Sequence, residues 1–361
     1  MSRPYDANVA RTTISDVAKA AGVSTATVSY VLNRPQHVTN ATRAKVLDAI
    51  ERLGYVRNAS ARQLRDGRSR IVGLVIIDSN PFNIELTRGV EDAVVEEGHV
   101  VVVCNSATSA AREARNLRLL TEQNVDKVLI TPVSRDKLVQ LDQLRDRGAS
   151  IVFVDYPVPR KDHCSVSVDD KLGGRLAAEH LIGLGHTRLA LINGHPTMFT
   201  LGDRRKGFVA GLEAAGLELA PARDIETESV SVAAGEEAAG RLLDGEDRPT
   251  AVFCGNDTLA IGALRAAIRR GLSVPDDLAI VGYDDLVFAE LSAVPLTTIR
   301  QPSYQLGYRA AKLLLDEAEN RATHRHKRVV FRPELIVRAS TVRTPATVSS
   351  RGAPAAAAAD A

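Results

Sequence analysis

Residues 14–33 read ISDVAKAAGVSTATVSYVLN, and the spacing within this stretch decides the N-terminal fold. Ile14, Val17, Ala18 and Ala21 recur at helical intervals, Gly22 interrupts them, and Val23, Val28, Val31 and Leu32 resume the pattern. Two short helices follow. Each has a start signal: Thr13 with Asp16 three residues on, and Ser24, because a hydroxyl at these positions can accept an otherwise unpaired amide hydrogen of the first turn. The link Ala21-Gly22-Val23-Ser24 is too short for antiparallel packing, and small residues (Ala18, Ala21, Ala26) stand where the helices approach. A steeply crossed helix-turn-helix is the expected result. A third helix over 39–53, with Val46, Leu47, Ile50 and Leu53 on one face, closes a three-helix core. The second helix leaves Thr25, Ala26, Ser29 and Tyr30 outward. These side chains let a helix sink into a major groove and read base edges through hydroxyl or thymine-methyl contacts, although short polar residues also suit any exposed helix.

Charge agrees with a nucleic-acid partner for this segment. The 361-residue chain carries a net charge of only +2, but residues 1–70 hold twelve Lys and Arg against five Asp and Glu, a net of +7, which leaves the remainder at −5. A basic module on a mildly acidic body fits a protein that visits a polyanion with one part, though a solvated charged face would give the same count. Residues 58–64 (NASARQL) read as one more short helix with Arg62, Arg65, Arg68 and Arg70 close by. Alone it is marginal, so it should form only against a partner such as a DNA minor groove and an identical helix.

From residue 71 onward apolar runs alternate with amphipathic stretches. Strands are expected at 71–77, 100–104, 127–131, 150–154, 188–192, 250–254, 278–282 and 329–337, with helices at 84–97, 111–123, 171–184, 203–215, 233–244, 257–270 and 304–319. Such alternation predicts parallel sheets flanked by helices, and two four-strand groups predict two lobes. Ligands of open parallel sheets bind beyond the carboxyl ends of the strands. Here those ends are polar: Asp78 to Phe82, Asp155, Asn193 to His195, Asn256 with Asp257, and Tyr283 with Asp284 and Asp285. Convergent carboxylates and amides suit a compact polyhydroxylated or heterocyclic ligand, with Phe82 or Phe199 against its ring. Each Asp or Asn taken singly, Asp257 above all, would serve equally as a cap for the next helix.

The runs TISDVAKAAGVSTATVSYVLN, VTNATRAKVLDAIERLGY and NASARQL strongly resemble the lactose-repressor (LacI/GalR) family of bacterial regulators, and the likeness continues in order to about Val342. The resemblance implies an all-α helix-turn-helix domain over 1–56, a hinge over 57–70, a two-lobed α/β core of the periplasmic-binding-protein kind over 71–342, and a tail over 343–361. It places Thr25, Ala26 and Tyr30 at base-reading positions, Ser24, Thr27, Asn33 and Thr39 at phosphate, Asn58 at the start of the hinge helix, and Leu64 as a wedge in the minor groove. Wedging costs a few kcal/mol of unstacking, offset by contacts to the bent duplex. Arg57 departs from the proline common at its position. In the cleft the resemblance implies Arg204 and Asp284 as effector-holding residues, with Asp155 and Asn256 beside them. Asp155 and Asp284 together favour a sugar; a nucleobase remains the other choice. Double-stranded DNA with a pseudo-palindromic operator, a small-molecule effector and a second copy of the chain are the implied partners.

Other classes fit less well. Gly183 and Gly185 follow a helix instead of opening one, and no phosphate-binding G-x-x-x-x-G-K-[ST] occurs, so neither an enzyme nor a cofactor is expected. Cys104, Cys164 and Cys254 are far apart and read as free thiols; His163-Cys164 and His324-x-His326 read as parts of solvated loops, with no metal. A secreted sugar-binding protein would share the two-lobed core, but an N-terminus without an apolar run and with the basic module argues for a cytoplasmic location and no membrane partner. The tail from Thr344, rich in Ala, Ser, Pro and Thr and without a leucine heptad, is expected to be disordered and the assembly to be a dimer.

Overall fold

The computed structural model describes residues 12–56, 69–133, 139–158, 162–195 and 198–342. The hinge helix expected at 58–64, with Arg57, Asn58 and Leu64, and the tail lie outside them. The chain divides between residues 68 and 69 into two compact units.

In the first unit, α1 (Ile14–Ala21) opens on a full capping box, Thr13 and Asp16 each bonding the other's backbone, and stops where Gly22 turns left-handed at φ 66°. Helix α2 (Thr25–Asn33) is capped by Ser24, which accepts from the Thr27 amide, and α3 (Asn40–Arg52) by Thr39. Val17, Ala18, Val28, Val31, Val46 and Ala49 form the core. Leu47, expected inside, is 46% exposed, and Ala49 takes its place. The inward face runs 46, 49, 50, 53, and position 47 lies about 100° around the helix from 46.

The second unit contains two six-stranded sheets. The first lobe's sheet runs β11-β5-β4-β3-β1-β2, from β1 (Ile71–Ile76), β2 (Val100–Asn105), β3 (Lys127–Ile130), β4 (Ser150–Val154), β5 (Cys164–Val168) and β11 (Arg328–Phe331), all parallel. The second runs β12-β10-β9-β8-β6-β7, from β6 (Leu189–Gly194), β7 (Asp224–Thr227), β8 (Ala251–Cys254), β9 (Ala279–Asp284), β10 (Thr297–Arg300) and β12 (Glu334–Ile336). Only β12 in it is antiparallel. The expected four-strand groups thus gain β5, β7 and β10, which are short and partly polar. The single strand expected over 329–337 is two strands in different sheets, because Pro333 offers no amide hydrogen and the chain changes lobes there. Between strands lie α4 (Pro81–Val95), α5 (Ala110–Glu122), α6 (Val139–Asp146), α7 (Asp170–Gly183), α8 (Phe199–Ala214), α9 (Val232–Asp244), α10 (Asp257–Arg269), α11 (Val287–Leu291) and α12 (Ser303–Glu319).

The chain passes between lobes after β5, after β10 and after β11, so α12 belongs to the first lobe although it follows nearly the whole second one. Helices α7 and α8 touch along glycines: a Cβ on Gly174 would overlap the Arg204 carbonyl, and one on Gly207 the Lys171 carbonyl. This close approach presses Arg204 against the start of α7.

Candidate functional site

Arg204, on α8, is 4% exposed. Its Nε donates to Asp170 Oδ1 at 2.9 Å and its Nη1 to the Gly255 carbonyl at 2.8 Å, while Asp284 Oδ1 lies 3.4 Å from Nη1. The guanidinium carbon sits 3.7 Å over the Tyr283 ring, and the Tyr283 hydroxyl donates to the same Asp170 oxygen at 3.1 Å. Gln301 Nε2 donates to Asp284 Oδ1 at 2.6 Å. The arginine is held on several sides by the protein's own groups, which is what a binding group needs in order to lose little entropy on engagement.

The carboxylates around it come from strand ends whose backbone is forced. Asp155, after β4, has φ 51°; Asp284 and Asp285, at the end of β9, have φ 107° and 55°. Side-chain-bearing residues rarely adopt this region, and each instance costs about 1–3 kcal/mol, a cost usually met where function needs it. Asp155 is partly exposed as a residue, yet its Oδ1 is sealed from solvent without a hydrogen-bond partner, as are Asn193 Oδ1 and Gln301 Oε1. The site is therefore rich in unpaired acceptors.

Burial dominates the electrostatics. It pushes Asp155 well above the ordinary carboxylate range, helped by Asp170 and Asp284 and opposed by Arg204. Asp170 is also raised by burial, against Arg204 and the Tyr283 hydrogen bond. Asp284 is raised to about 6 by burial, with Arg204 and Gln301 pulling it back. Arg204 stays charged: burial works against it, but Asp170 and Asp284 raise its pKa beyond the usual value.

Other expected cleft residues are placed differently. Asn256 caps α10, its Oδ1 accepting from the Leu259 amide at 2.9 Å. Asp257 does not cap; it accepts from the Leu286 amide at 2.7 Å and Thr298 Oγ1 at 2.6 Å, bracing α10 against the turn after β9. Phe82 is 6% exposed and packs in the first lobe's core, a cluster that also takes Leu286 from the second lobe. The aromatic pair at the cleft is Tyr156 with Phe199, ring centroids 5.4 Å apart. They join Ile77, Thr131, Asp155 and Met198 around a cavity of about 60 Å³, well below the roughly 300 Å³ of a small ligand site. Sequence reading missed Asp170, Gln301 and Tyr156, and named Tyr283 only as part of a polar strand end. Asp170 carried the same strand-end signal as the others, in Val168-Asp169-Asp170, but β5 before it went unread.

On the first unit Ser24, Thr25 and Ala26 are exposed and Tyr30 is 50% exposed, all on α2 or its cap, and Thr39, the cap of α3, is exposed as well. Thr27 is partly exposed, its Oγ1 2.9 Å from Ser24 Oγ. Asn33 folds back, its Nδ2 donating to the Ser29 carbonyl at 2.8 Å and to Ser29 Oγ at 3.1 Å. Ser29, expected outward, is partly buried and engaged in holding Asn33. No helix among the described residues is long and apolar enough to cross a membrane.

Residues 13–58 match the lacI family of bacterial regulatory proteins, and residues 178–341 match the periplasmic binding protein-like domain. The chain is 37% identical over 335 residues to the HTH-type transcriptional regulator DegA of Bacillus subtilis (strain 168), covering 92% of this chain and 98% of that one. It is 36% identical over 334 residues to the HTH-type transcriptional repressor PurR of Mannheimia succiniciproducens, covering 91% and 98%. Among solved structures, a complex of the transcriptional regulator CelR with cellobiose is 34% identical with TM-score 0.69, covering 91% of this chain and all of that one. The lac repressor dimer bound to operator and the anti-inducer ONPF is 28% identical with TM-score 0.81, covering 92% and 99%. The basic helix-turn-helix, the two-lobed parallel-sheet core and likeness along nine-tenths of the chain have one reading: this protein belongs to the LacI family of bacterial DNA-binding transcriptional regulators.

Proposed function

We propose that the chain is a homodimeric repressor of a pseudo-palindromic operator and that a sugar in the cleft of the core releases it. The observation that carries the ligand class is the acceptor-rich cleft: Asp155, Asn193 and Gln301 each keep a buried unpaired oxygen near the Arg204–Asp284 pair. A ligand with many hydroxyl donors satisfies them; a ligand that mostly accepts leaves them orphaned, at about 1–3 kcal/mol each. The cellobiose held by the CelR relative is consistent with that chemistry.

The helix α2 surface reads bases through Thr25, Ala26 and Tyr30, while Ser24, Thr27, Asn33 and Thr39 meet phosphate. Asn58 and Leu64 form the minor-groove hinge within a segment over 57–70 that joins the 1–56 domain to the 71–342 core. The sugar shifts the equilibrium through unequal affinity for open and closed lobes, and thereby the spacing of two hinges. Dimer formation is supported by the edge strand β2, whose Val100, Val102 and Val103 are 57%, 41% and 43% exposed. Bare valines on a strand with one free edge invite association.

The test is a thermal-shift screen of the full chain against sugars and nucleobases, followed by operator binding. A sugar at 100 times its dissociation constant adds about 2.7 kcal/mol to the core and should lower operator affinity. Stabilisation by nucleobases alone would overturn the sugar assignment, and tighter operator binding would overturn release.

A further inference from the structure

Away from the cleft, at the opposite end of the first lobe's sheet, four side chains from distant parts of the chain converge. Cys164 begins β5, Glu317 lies in the last turn of α12, and His324 and His326 stand on the segment leading into β11. Their donor atoms all lie within 4.8 Å of one another. Cys164 Sγ is 3.2 Å from His324 Nε2 and 3.9 Å from His326 Nδ1; Glu317 Oε2 is 3.9 Å from the first of these nitrogens and 3.8 Å from the second. The expectation of solvated loops fails here: Cys164 is fully buried and the His324 side chain is 2% exposed.

From this geometry we infer that Cys164, Glu317, His324 and His326 form a four-coordinate site for a zinc-class divalent transition metal. A tetrahedral Zn²⁺ with bonds of about 2.0–2.3 Å holds its donors about 3.3–3.6 Å apart; the four separations given lie within a few tenths of an ångström of this, and the widest in the cluster, bounded at 4.8 Å, closes by about 1 Å on loading. One thiolate, two imidazoles and one carboxylate are borderline-soft donors that suit Zn²⁺ and exclude Mg²⁺ and Ca²⁺, which demand oxygen. Charge closes as well: thiolate and carboxylate neutralise the dication, so the loaded site places no net charge in the sheet's edge. On loading, the Cys164 S–H bond breaks, an S–metal bond forms and the proton leaves to solvent.

Three further details aim these groups at a shared centre. Asp316 Oδ2 lies 2.8 Å from His324 Nδ1, the carboxylate–histidine arrangement that turns the other ring nitrogen toward a metal. Glu317 Oε2 is buried without a hydrogen-bond partner, and the Lys327 amide donates to Cys164 Sγ at 3.2 Å, as amides do to metal-bound thiolates. His326, 33% exposed, leaves an entry path. The metal would tie the end of α12 to β5 and to the approach to β11, the two adjacent strands from which the chain leaves this lobe.

The test uses the full reduced chain stripped of metal and titrated with Co²⁺ alone. One Co²⁺ per chain should bind, giving the intense visible bands of a tetrahedral ion and a near-ultraviolet thiolate-to-cobalt band, both removed by Zn²⁺ and unaffected by Mg²⁺. Cys164→Ser should abolish the thiolate band. The exposed His326→Ala variant, which disturbs no core, should lose the tetrahedral spectrum, and Asp316→Asn should weaken binding about 10–100-fold while keeping its form. An absent cobalt spectrum in the wild type, or a thiolate band that survives Cys164→Ser, would overturn the proposal.

Discussion

Replacing Asp284 by Asn tests the electrostatics of the cleft because it removes a charge and little else. The two side chains have nearly the same shape, Asn tolerates positive φ as Asp does, and its oxygen can still accept from Gln301 Nε2. What disappears is a buried negative charge that the fold tolerates poorly. In the folded chain Asp284 holds its proton to about pH 6. Unfolded, it loses that proton near the ordinary value of about 3.9, so between roughly pH 4 and 6 the folded state binds more protons and stability falls as pH rises. Above that window both states are ionised and the penalty stands at on the order of 3 kcal/mol. Asp284→Asn should therefore stabilise the core at pH 8 by up to about 3 kcal/mol, roughly 6–12 °C in melting temperature, and flatten its profile between pH 4 and 6. Melting curves of wild type and variant across pH 4–8 measure it. A variant less stable than wild type at pH 8 would show that attraction to Arg204 outweighs burial, and would refute burial as the dominant influence on the cleft carboxylates. A more stable variant that no longer answers its effector would mark Asp284 as a group kept for binding at the expense of stability.

Four further outcomes are expected, three from the geometry described and one, at Leu64, from the proposed hinge. Tyr30→Ala and Thr25→Ala should alter which operator bases are preferred, at about 1–3 kcal/mol per contact in a binding-site selection assay; an equal loss on every sequence would make them phosphate contacts. Leu64→Ala should abolish operator bending in a gel or energy-transfer assay while leaving the melting temperature intact. Val102→Asp should convert the dimer to monomer in sedimentation, and an unchanged species would remove β2 from the interface. Gly207→Ala should destabilise the core by about 1–3 kcal/mol and loosen effector binding, because its Cβ meets the Lys171 backbone and must push α7 away from Arg204.

The parts of the molecule governed by local rules were legible in the sequence. Thr13, Asp16, Gly22 and Ser24 act where their spacing placed them, since a cap depends on atoms within four residues. Errors arose where a signal was short or a partner distant. Strand β5 is only five residues long and alternates buried Ser165 and Ser167 with Val166 and Val168, so no run of apolar residues announces it. With β5 unread, Asp170 lost the context that would have marked it. Leu47 misled because helical phase was read with a tolerance of one residue. Cys164 and His324 are separated by 160 positions, and nothing local says that parallel pairing of β5 with β11 will bring them to 3.2 Å.

The threefold passage between lobes also governs the order in which the protein can be made. The first lobe's sheet is begun by β1 and continued through β5, but its edge strand β11 and its packing helix α12 leave the ribosome only after β6 to β10 have been synthesised. Until then α4 has no partner at Gly89, where the α12 backbone later lies within overlap distance of an added Cβ, and β5 has a bare edge. Neither lobe can be completed as an independent product of translation, and a nascent chain arrested after β5 but before residue 328 carries a parallel sheet with a bare edge, the kind of intermediate that chaperones exist to hold.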